Sequence, residues 1–551
     1  VIAKVKVIPE LGQLNSAESR VRVAEMNLKQ YEIDADRTKS LFEQKFESQE
    51  TYENATIADK DLNGTARYVG MGGAMEALGA DISTINSNPA GLGLFRSSQV
   101  TLSAGVQSVP ETSKLGKENT VVSFDQLGVV GTLRQGENSF LNLAFNYHKS
   151  KNFNQILQAS NRLKGASQNK LSYVKGYEGV FYPDFDKNDN IIGWVDAKSD
   201  YTSNMFSQTD YLYYNQFLYD PQEDLFFYED ATGFDTEHAV HGYIADYDFA
   251  VSGNINNRVY LGLTLGVQDV HYTSDSRYTE ELQFRNSVTL TDYRHISGYG
   301  FNVKFGGIFR PVETSPFRIG LYVHTPTFYK LTTENMTTLS LSSGRSFSVG
   351  EAYDFCLNTP WKFGASLGHT IGRNVALGAT YEYSDYGSLD TRVIDGGYYD
   401  YNGYWQDDSS SDYNMNQHTK MALKGVHTLK LGAEVKVAPT ASVRVGYNYL
   451  SPKFDSENAY KDGTIDSYGT FYASQTDYTN WKDTHRFTCG FGMSFGSFTA
   501  DLAYQYSTTK GEYFPFMSYY NDDEPSLNNI CDKTDVSDNR HHVMFTLGYR
   551  F

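Results

Sequence analysis

At 551 residues and 62.0 kDa the chain has room for several ordinary domains or one large one. Its net charge of −19 excludes nucleic acid as a partner, because neutralising phosphates needs clustered Lys and Arg and none stand out. No run of about twenty apolar residues exists, which excludes membrane-spanning helices. Yet aromatic residues make up 15% of the chain, with 43 Tyr and 34 Phe against 4 Trp, and mean hydropathy is only −0.49. That balance suits strands that show lipid one side chain and water the next.

Residues 1–60 are rich in Glu, Lys, Ala and Gln and poor in Gly, and read as helix. Val21, Ala24, Leu28, Tyr31 and Ala35 fall at alternating three- and four-residue steps, one stripe of a coiled coil or helical hairpin, and Ser48 is placed to cap a second helix. No charged n-region followed by an apolar stretch opens at Val1, so a secretion signal is expected upstream of this sequence. Residues 61–97, with Gly70, Gly72, Gly73, Gly79, Gly91 and Gly93, form a Gly-rich segment of small residues with little periodicity.

From residue 98 onward the period becomes two. The clearest case is the end of the chain, where Val543, Phe545, Leu547, Tyr549 and Phe551 alternate with Met544, Thr546, Gly548 and Arg550. Phe498, Ala500, Leu502, Tyr504 and Tyr506, then Val375, Leu377, Ala379, Tyr381 and Tyr383, and then Val259, Leu261, Leu263, Leu265 and Val267 behave alike. Alternation alone fits a soluble sandwich equally well. The connections decide between them. Strands beginning near 98, 120, 139, 241, 257, 297, 316, 361, 374, 424, 441, 485, 498 and 541 make fourteen, joined by links that alternate short and long. The long ones are predicted at about 150–240, 271–296, 328–360, 387–423, 451–484 and 508–540. Short periplasmic turns and long extracellular loops are the signature of an outer-membrane barrel, and a sandwich has no reason to sort its loops by parity. The fold class is therefore all-β: a 14-stranded antiparallel transmembrane barrel over 98–551, both ends periplasmic, with an interfacial girdle that includes Tyr147, Tyr383, Tyr449 and Tyr506.

The stretch Gly64-Thr-Ala-Arg-Tyr-Val-Gly-Met-Gly-Gly-Ala-Met, followed by Asp81-Ile-Ser-Thr and by Asn88-Pro-Ala-Gly91, resembles the N-terminal plug of the FadL/TodX family of outer-membrane transporters, in its Bacteroidetes-like branch. Pro360-Trp-Lys-Phe, Val375-Ala-Leu-Gly-Ala-Thr-Tyr-Glu-Tyr-Ser-Asp-Tyr386 and Arg444-Val-Gly-Tyr-Asn-Tyr-Leu-Ser-Pro452 look like later strands of that family, so the resemblance spans about 62–551. It implies a barrel closed by an N-terminal hatch through which long-chain fatty acids or aromatic hydrocarbons diffuse. It also implies membrane lipid, lipopolysaccharide, a hydrophobic ligand and the barrel-assembly machinery as partners. By contrast, Ala17–Leu28 and Asp36–Ala55 resemble part of the helical hairpin of efflux-pump periplasmic adaptors. The other adaptor modules are missing, so this fragment reads as a fusion or assembly artefact rather than a natural extension.

Several residues are candidates for function, each with a plainer reading. Gly70, Gly72, Gly73, Asn88, Pro89, Ala90 and Gly91 form the plug that could gate or merely pack, since glycines let backbone rearrange at little steric cost. Tyr211, Tyr213, Tyr214, Phe217, Phe226 and Phe227 are either a greasy landing site for ligand or the long loop's own small core. Inward-facing Lys430 and Arg444 are candidates for a ligand carboxylate, or else partners of Glu382, Glu434 and Asp501. Asp184, Asp186 and Asn188 have the spacing of a weak calcium loop but lack its Gly and Glu, so an Asx-turn competes. Cys356 and Cys531 fall in loops on the same side, where a bridge is conceivable. With no nucleophile elbow, zinc helix or phosphate loop in the sequence, neither catalysis nor a cofactor is expected. The rival readings are a surface-binding protein or adhesin and an outer-membrane lipase, the latter needing a Ser–His pair.

Overall fold

A computed structural model describes residues 49–177, 181–185, 187, 191–196, 207–220, 225–284, 286–399, 401, 403, 405–455, 459, 465–521 and 524–551. All belong to one compact unit, Glu47–Phe551. The helical stripe at 21–35 and Ser48 lie outside these residues, as do Asp186, Asn188 and the side chain of Asp184.

Fourteen antiparallel staves form the wall. They are β1 (Gln99–Ser108), β2 (Thr120–Arg134), β3 (Phe140–Asn152, resumed as Gln155–Arg162), β4 (Ala231–Ile255), β5 (Val259–Leu282), β6 (Ser287–Phe309) and β7 (Arg318–His324, resumed as Phe328–Leu341). There follow β8 (Ser346–Asn358, resumed as Lys362–Ile371), β9 (Val375–Asp385, resumed as Asp390–Tyr399) and β10 (Trp405–Ser411, resumed as Gly425–Ala438). The last four are β11 (Ala441–Leu450), β12 (Tyr478–Phe495), β13 (Phe498–Phe514) and β14 (Thr534–Arg550). Each pairs with its chain neighbours, and β14 pairs with β1 from Gln99↔Arg550 to Ser108↔His541, so the sheet closes and leaves no edge.

The alternation puts hydrocarbon-loving residues outside. On β14, Phe545, Leu547 and Tyr549 are 45%, 48% and 43% exposed, whereas Thr546, between them, is 3% exposed and faces the enclosed centre. The same outward face continues through Leu502, Phe491, Val443, Leu431, Leu377 and Phe363. A continuous belt of this size is unstable against water and is explained by lipid. Above it runs a girdle in which the hydroxyls of Tyr381, Tyr447 and Tyr504 lie 2.6, 2.7 and 2.8 Å from Nδ1 of His427, His485 and His541 on the next staves.

The short turns fall where the spacing puts them, but the long links differ. The stretches 271–296 and 328–360 are not loops: β5 runs on to Leu282 and β6 starts at Ser287, and the outer halves of β7 and β8 pair from Phe328↔Asn358 to Ser340↔Ser346. Likewise β4 begins at Ala231, ten residues before the predicted 241. Above the bilayer both faces of a strand meet water or loops, so the apolar alternation that marks a strand in sequence fades although the ladder continues. Cys356 therefore sits within β8, Cys531 is buried in the β13–β14 loop, and all three cysteines are free, so the conceivable bridge does not form.

Candidate functional site

Inside the wall lies the chain that precedes β1. Helix α1 (Gln49–Ala58) is followed by α2 (Ala66–Gly70), a 3-10 turn at Ile82–Asn86 and another at Pro89–Leu94. The last three elements are each capped by a short side chain at the start. Thr65 accepts from the amide of Tyr68, Asp81 from that of Ser83, and Asn88 from that of Ala90. Pro89, with φ fixed and no amide hydrogen to satisfy, occupies the first position of its turn.

Small residues let this plug touch the wall backbone. Gly368, Gly378, Gly432 and Gly446 are cross-strand partners in one row over β8, β9, β10 and β11. A Cβ on Gly378 would run into the Ala74 carbonyl, one on Gly432 into that of Met71, and one on Gly446 into the amide of Gly72. Gly72 itself has φ +62°. The row is thus a seat cut into the lumen, and no single plug glycine announces it.

Ion pairs fasten the plug over that seat. Arg67 grips Glu434 with Nε and Nη2 at 3.0 and 3.1 Å, and Glu434 also accepts from Arg444 Nε at 2.6 Å. Arg444 Nη1 reaches Asp501 at 2.6 Å. Nearby, Lys430 Nζ lies 3.0 Å from Glu76 of the plug and 2.8 Å from Glu382 of the wall. Tyr68 donates to Glu76 at 3.0 Å, Thr380 donates to it at 2.6 Å, and Tyr322 donates to Glu382 at 2.6 Å. Lys430 and Arg444 are thereby engaged with carboxylates. Glu76 and Arg67, the plug's share of these networks, were not singled out from the sequence; their partners lie 354 and 367 positions away.

The other plug candidates hold backbone. Asn88 Nδ2 donates to the Gly307 carbonyl at 3.4 Å, the Ala90 side chain packs with Tyr260 and Ile308, and Gly91 leaves no room for a Cβ beside Thr84. Deeper, His148, Asp246 and Asp248 bring ligand atoms within 4.8 Å of one another. Lys304 stands 2.8 Å from Asp248, and Lys60 stands 3.6 Å from Asp246, so ammonium groups already balance these carboxylates. Burial lowers the Lys60 ammonium to about 8 against the raising pull of Asp246.

Phe153, Val270, Tyr272, Ile296, Tyr329, Leu331, Phe355, Leu357, Tyr386 and Val426 form an apolar cluster, most of it midway along their staves, and Ala55 and Ile57 of α1 are wholly buried within it. Beside this cluster a cavity is bordered by Leu157, Tyr478, Trp481, Lys151, Lys453 and Arg486. The loop aromatics lie higher. Tyr213, Tyr214 and Phe217 are buried, and Tyr211, Phe226 and Phe227 partly so; Tyr214 stacks obliquely on Phe226, and Phe217 on Phe227, at centroid distances of 5.8 and 5.6 Å. Tyr211 also lies against Phe347 of β8, and Phe226 against Tyr219. One Ser–His pair faces inward, with His238 Nε2 2.6 Å from Ser274 Oγ, and among the described residues no carboxylate lies within salt-bridge distance of that histidine.

A closed wall, a lipid-facing belt and a fastened internal hatch decide the class. The chain is a plugged outer-membrane β-barrel. No protein-family model and no curated protein matches it in sequence. Among solved structures the barrel is similar to a FadL homologue of Pseudomonas aeruginosa, at 11% identity over 89% of this chain and 99% of that one, with a TM-score of 0.47. It is also similar to the toluene transporter TbuX of Ralstonia pickettii, at 12% over 89% and 99% with a TM-score of 0.45. The monoaromatic hydrocarbon channel CymD is similar at 10% over 90% and 99%, TM-score 0.48.

Proposed function

We propose that this barrel is a passive channel by which hydrophobic small molecules, of the size of long-chain fatty acids or aromatic hydrocarbons, cross the outer membrane past a plug that rearranges. One observation carries the reading: beside a hatch held by polar bonds lies an apolar cluster that borders a cavity of the lumen, a surface on which a diffusing hydrophobic molecule gains free energy. The plug's resemblance to that of the FadL/TodX family supports it. The polar contacts of the hatch then form a gate whose bonds break and reform, a step that needs no external energy source.

The same reading gives the barrel no chemistry of its own. Its partners are lipid and lipopolysaccharide around the Tyr–His girdle, and the barrel-assembly machinery at the terminal strand ending in Phe551. The test is uptake of labelled palmitate and of labelled toluene by cells that carry the full chain, the chain without residues 64–96, or neither. Uptake above the empty cells, altered by the deletion, is the expected result. Uptake no greater than in empty cells would remove the transport reading, and equal uptake with and without the plug would remove its gating.

A further inference from the structure

The rim of the barrel at its periplasmic turns is charged opposite to the rest of the chain. The sequence carries −19 overall, yet the staves end there in cations. Arg134 closes β2, Arg258 lies in the β4–β5 turn, and Arg310 and Arg318 bound the link from β6 to β7. Arg373 lies in the β8–β9 turn, Lys436 near the foot of β10, and Arg550 at the end of β14. The carboxylates of these turns are Glu137 and Glu313.

These cations are not neutralised within the molecule. Among the described residues none of them pairs with a carboxylate, whereas Lys304, Lys430 and Arg444, higher in the lumen, each do. Backbone holds the guanidinium groups instead. Arg134 Nε donates to the Gly136 carbonyl at 2.9 Å, Arg258 Nη2 to that of Pro311 at 3.1 Å, Arg310 Nε to that of Ser315 at 2.7 Å, and Arg318 Nη1 to that of Leu78 in the plug at 2.9 Å. Like charges crowd below β5 and β6, where Arg96 Nη2 reaches Asn257 Oδ1 at 2.6 Å and the Arg310 amide donates to the Arg258 carbonyl at 2.8 Å. Charges so placed repel one another until an anion meets them.

The alternation aims them at the mouth. Leu133, Phe309, Ile319, Val435 and Tyr549 are exposed on the lipid face, so Arg134, Arg310, Arg318, Lys436 and Arg550, one position along, belong to the opposite face and stand around the opening beneath the hatch. Arg134, Arg373, Lys436 and Arg550 are exposed there. We infer that this ring docks an acidic face of a periplasmic protein. A membrane leaflet would be met at the outward positions, which are apolar or aromatic here. A small anion would be held at one point, whereas these charges run round the rim from β14 to β10. A folded protein spans them together, and exposed charges of this kind set its rate of encounter and its orientation. No part of this depends on what the barrel transports.

Binding of a fluorescein-labelled decaglutamate peptide to the purified full chain in phosphatidylcholine nanodiscs, read by anisotropy, tests the inference. Four exposed ion pairs, each worth about a factor of two, multiply to about sixteenfold. The combined Arg134→Gln, Arg373→Gln, Lys436→Gln and Arg550→Gln variant is therefore expected to bind the peptide at least about tenfold more weakly. The extracellular counterpart, Arg162→Gln, Lys420→Gln, Lys424→Gln and Lys510→Gln, removes as many exposed cations and is expected to bind as the unsubstituted chain does. Raising sodium chloride from about 50 to about 300 mM is expected to weaken binding as the screening length shortens. Heat-modifiable migration on gels checks that each barrel is folded. Should the fourfold variant not fold, Arg373→Gln alone, in an exposed turn, is expected to cost about twofold, and no loss there would overturn the inference. Absence of binding by the unsubstituted chain, or equal weakening in the two fourfold variants, would overturn it too. So would an enrichment of spin-labelled phosphatidylglycerol over phosphatidylcholine around the unsubstituted barrel that the periplasmic variant abolishes, because the cations would then serve the leaflet.

Discussion

Glu434 is the most exposed test of how the hatch is held. It lies between Arg67 of the plug and Arg444 of the wall, with a side chain 12% exposed against 29% and 6% for its partners. Glu434→Ala removes one carboxylate from between two guanidinium groups and leaves both short of a partner. Breaking a buried pair in this way costs about 3–5 kcal/mol. Arg67 is nearly a third exposed and is also pulled by Asp81, and Arg444 keeps Asp501 at 2.6 Å, so the lower figure of about 2 kcal/mol is the better estimate after solvent screening. Because these contacts join plug to wall, the loss falls on the docked plug, and the ratio of open to closed barrels is expected to rise about thirtyfold. Current through single barrels in planar bilayers measures this directly, as more frequent or longer openings. If Glu434→Ala barrels that migrate as folded species stay as quiet as the unsubstituted ones, the ion pairs do not hold the hatch.

Other consequences can be checked alongside. Gly446→Val places two methyl groups where the plug backbone at Gly72 lies, and is expected to unseat the plug and admit small dyes into liposomes while the heat-modifiable barrel persists. Leu547→Lys puts a charge on the lipid face and is expected to cost about 2–4 kcal/mol in urea refolding into liposomes; a loss below 0.5 kcal/mol would contradict the outward assignment. In the extracellular helix α3 (Tyr413–Ala422), burial drives the His418 imidazole down to about 3. Since the unfolded imidazole protonates near 6.5, the helix keeps its full stability above that pH and loses about 1.4 kcal/mol per unit as pH falls toward 3. Protease cutting of this loop is therefore expected to accelerate below pH 6.5, and His418→Phe to flatten the dependence.

The wall was legible because a membrane writes itself into sequence twice, in the side-chain period of Val543 to Phe551 and in the parity of the turns. The resemblance around Gly64–Gly91 placed the plug. What stayed hidden was set by partners remote in the chain. Nothing local marks Gly378, Gly432 and Gly446 as a row, since in each strand they read as small residues on the polar face. Nor does Glu76 reveal that its charge meets Lys430. The cations Lys151, Lys453 and Arg486 come from three separate stretches and converge only when the barrel closes. Residues 53–58 read as the tail of a charged helical stretch, yet Ala55 and Ile57 are among the most enclosed side chains of the lumen.

Closure also narrows the routes by which the hatch reaches its seat. The hatch is synthesised before any stave, but Lys430, Glu434 and Arg444, which clasp it, arrive more than three hundred residues later, and the last seam joins Gln99 to Arg550. A finished cylinder offers no gap wide enough to thread a folded segment through its side. Unless it enters by an open end of the cylinder, the hatch is gathered in while the sheet is still an open trough, and the final hydrogen bonds of the wall then seal a vessel that already holds its stopper.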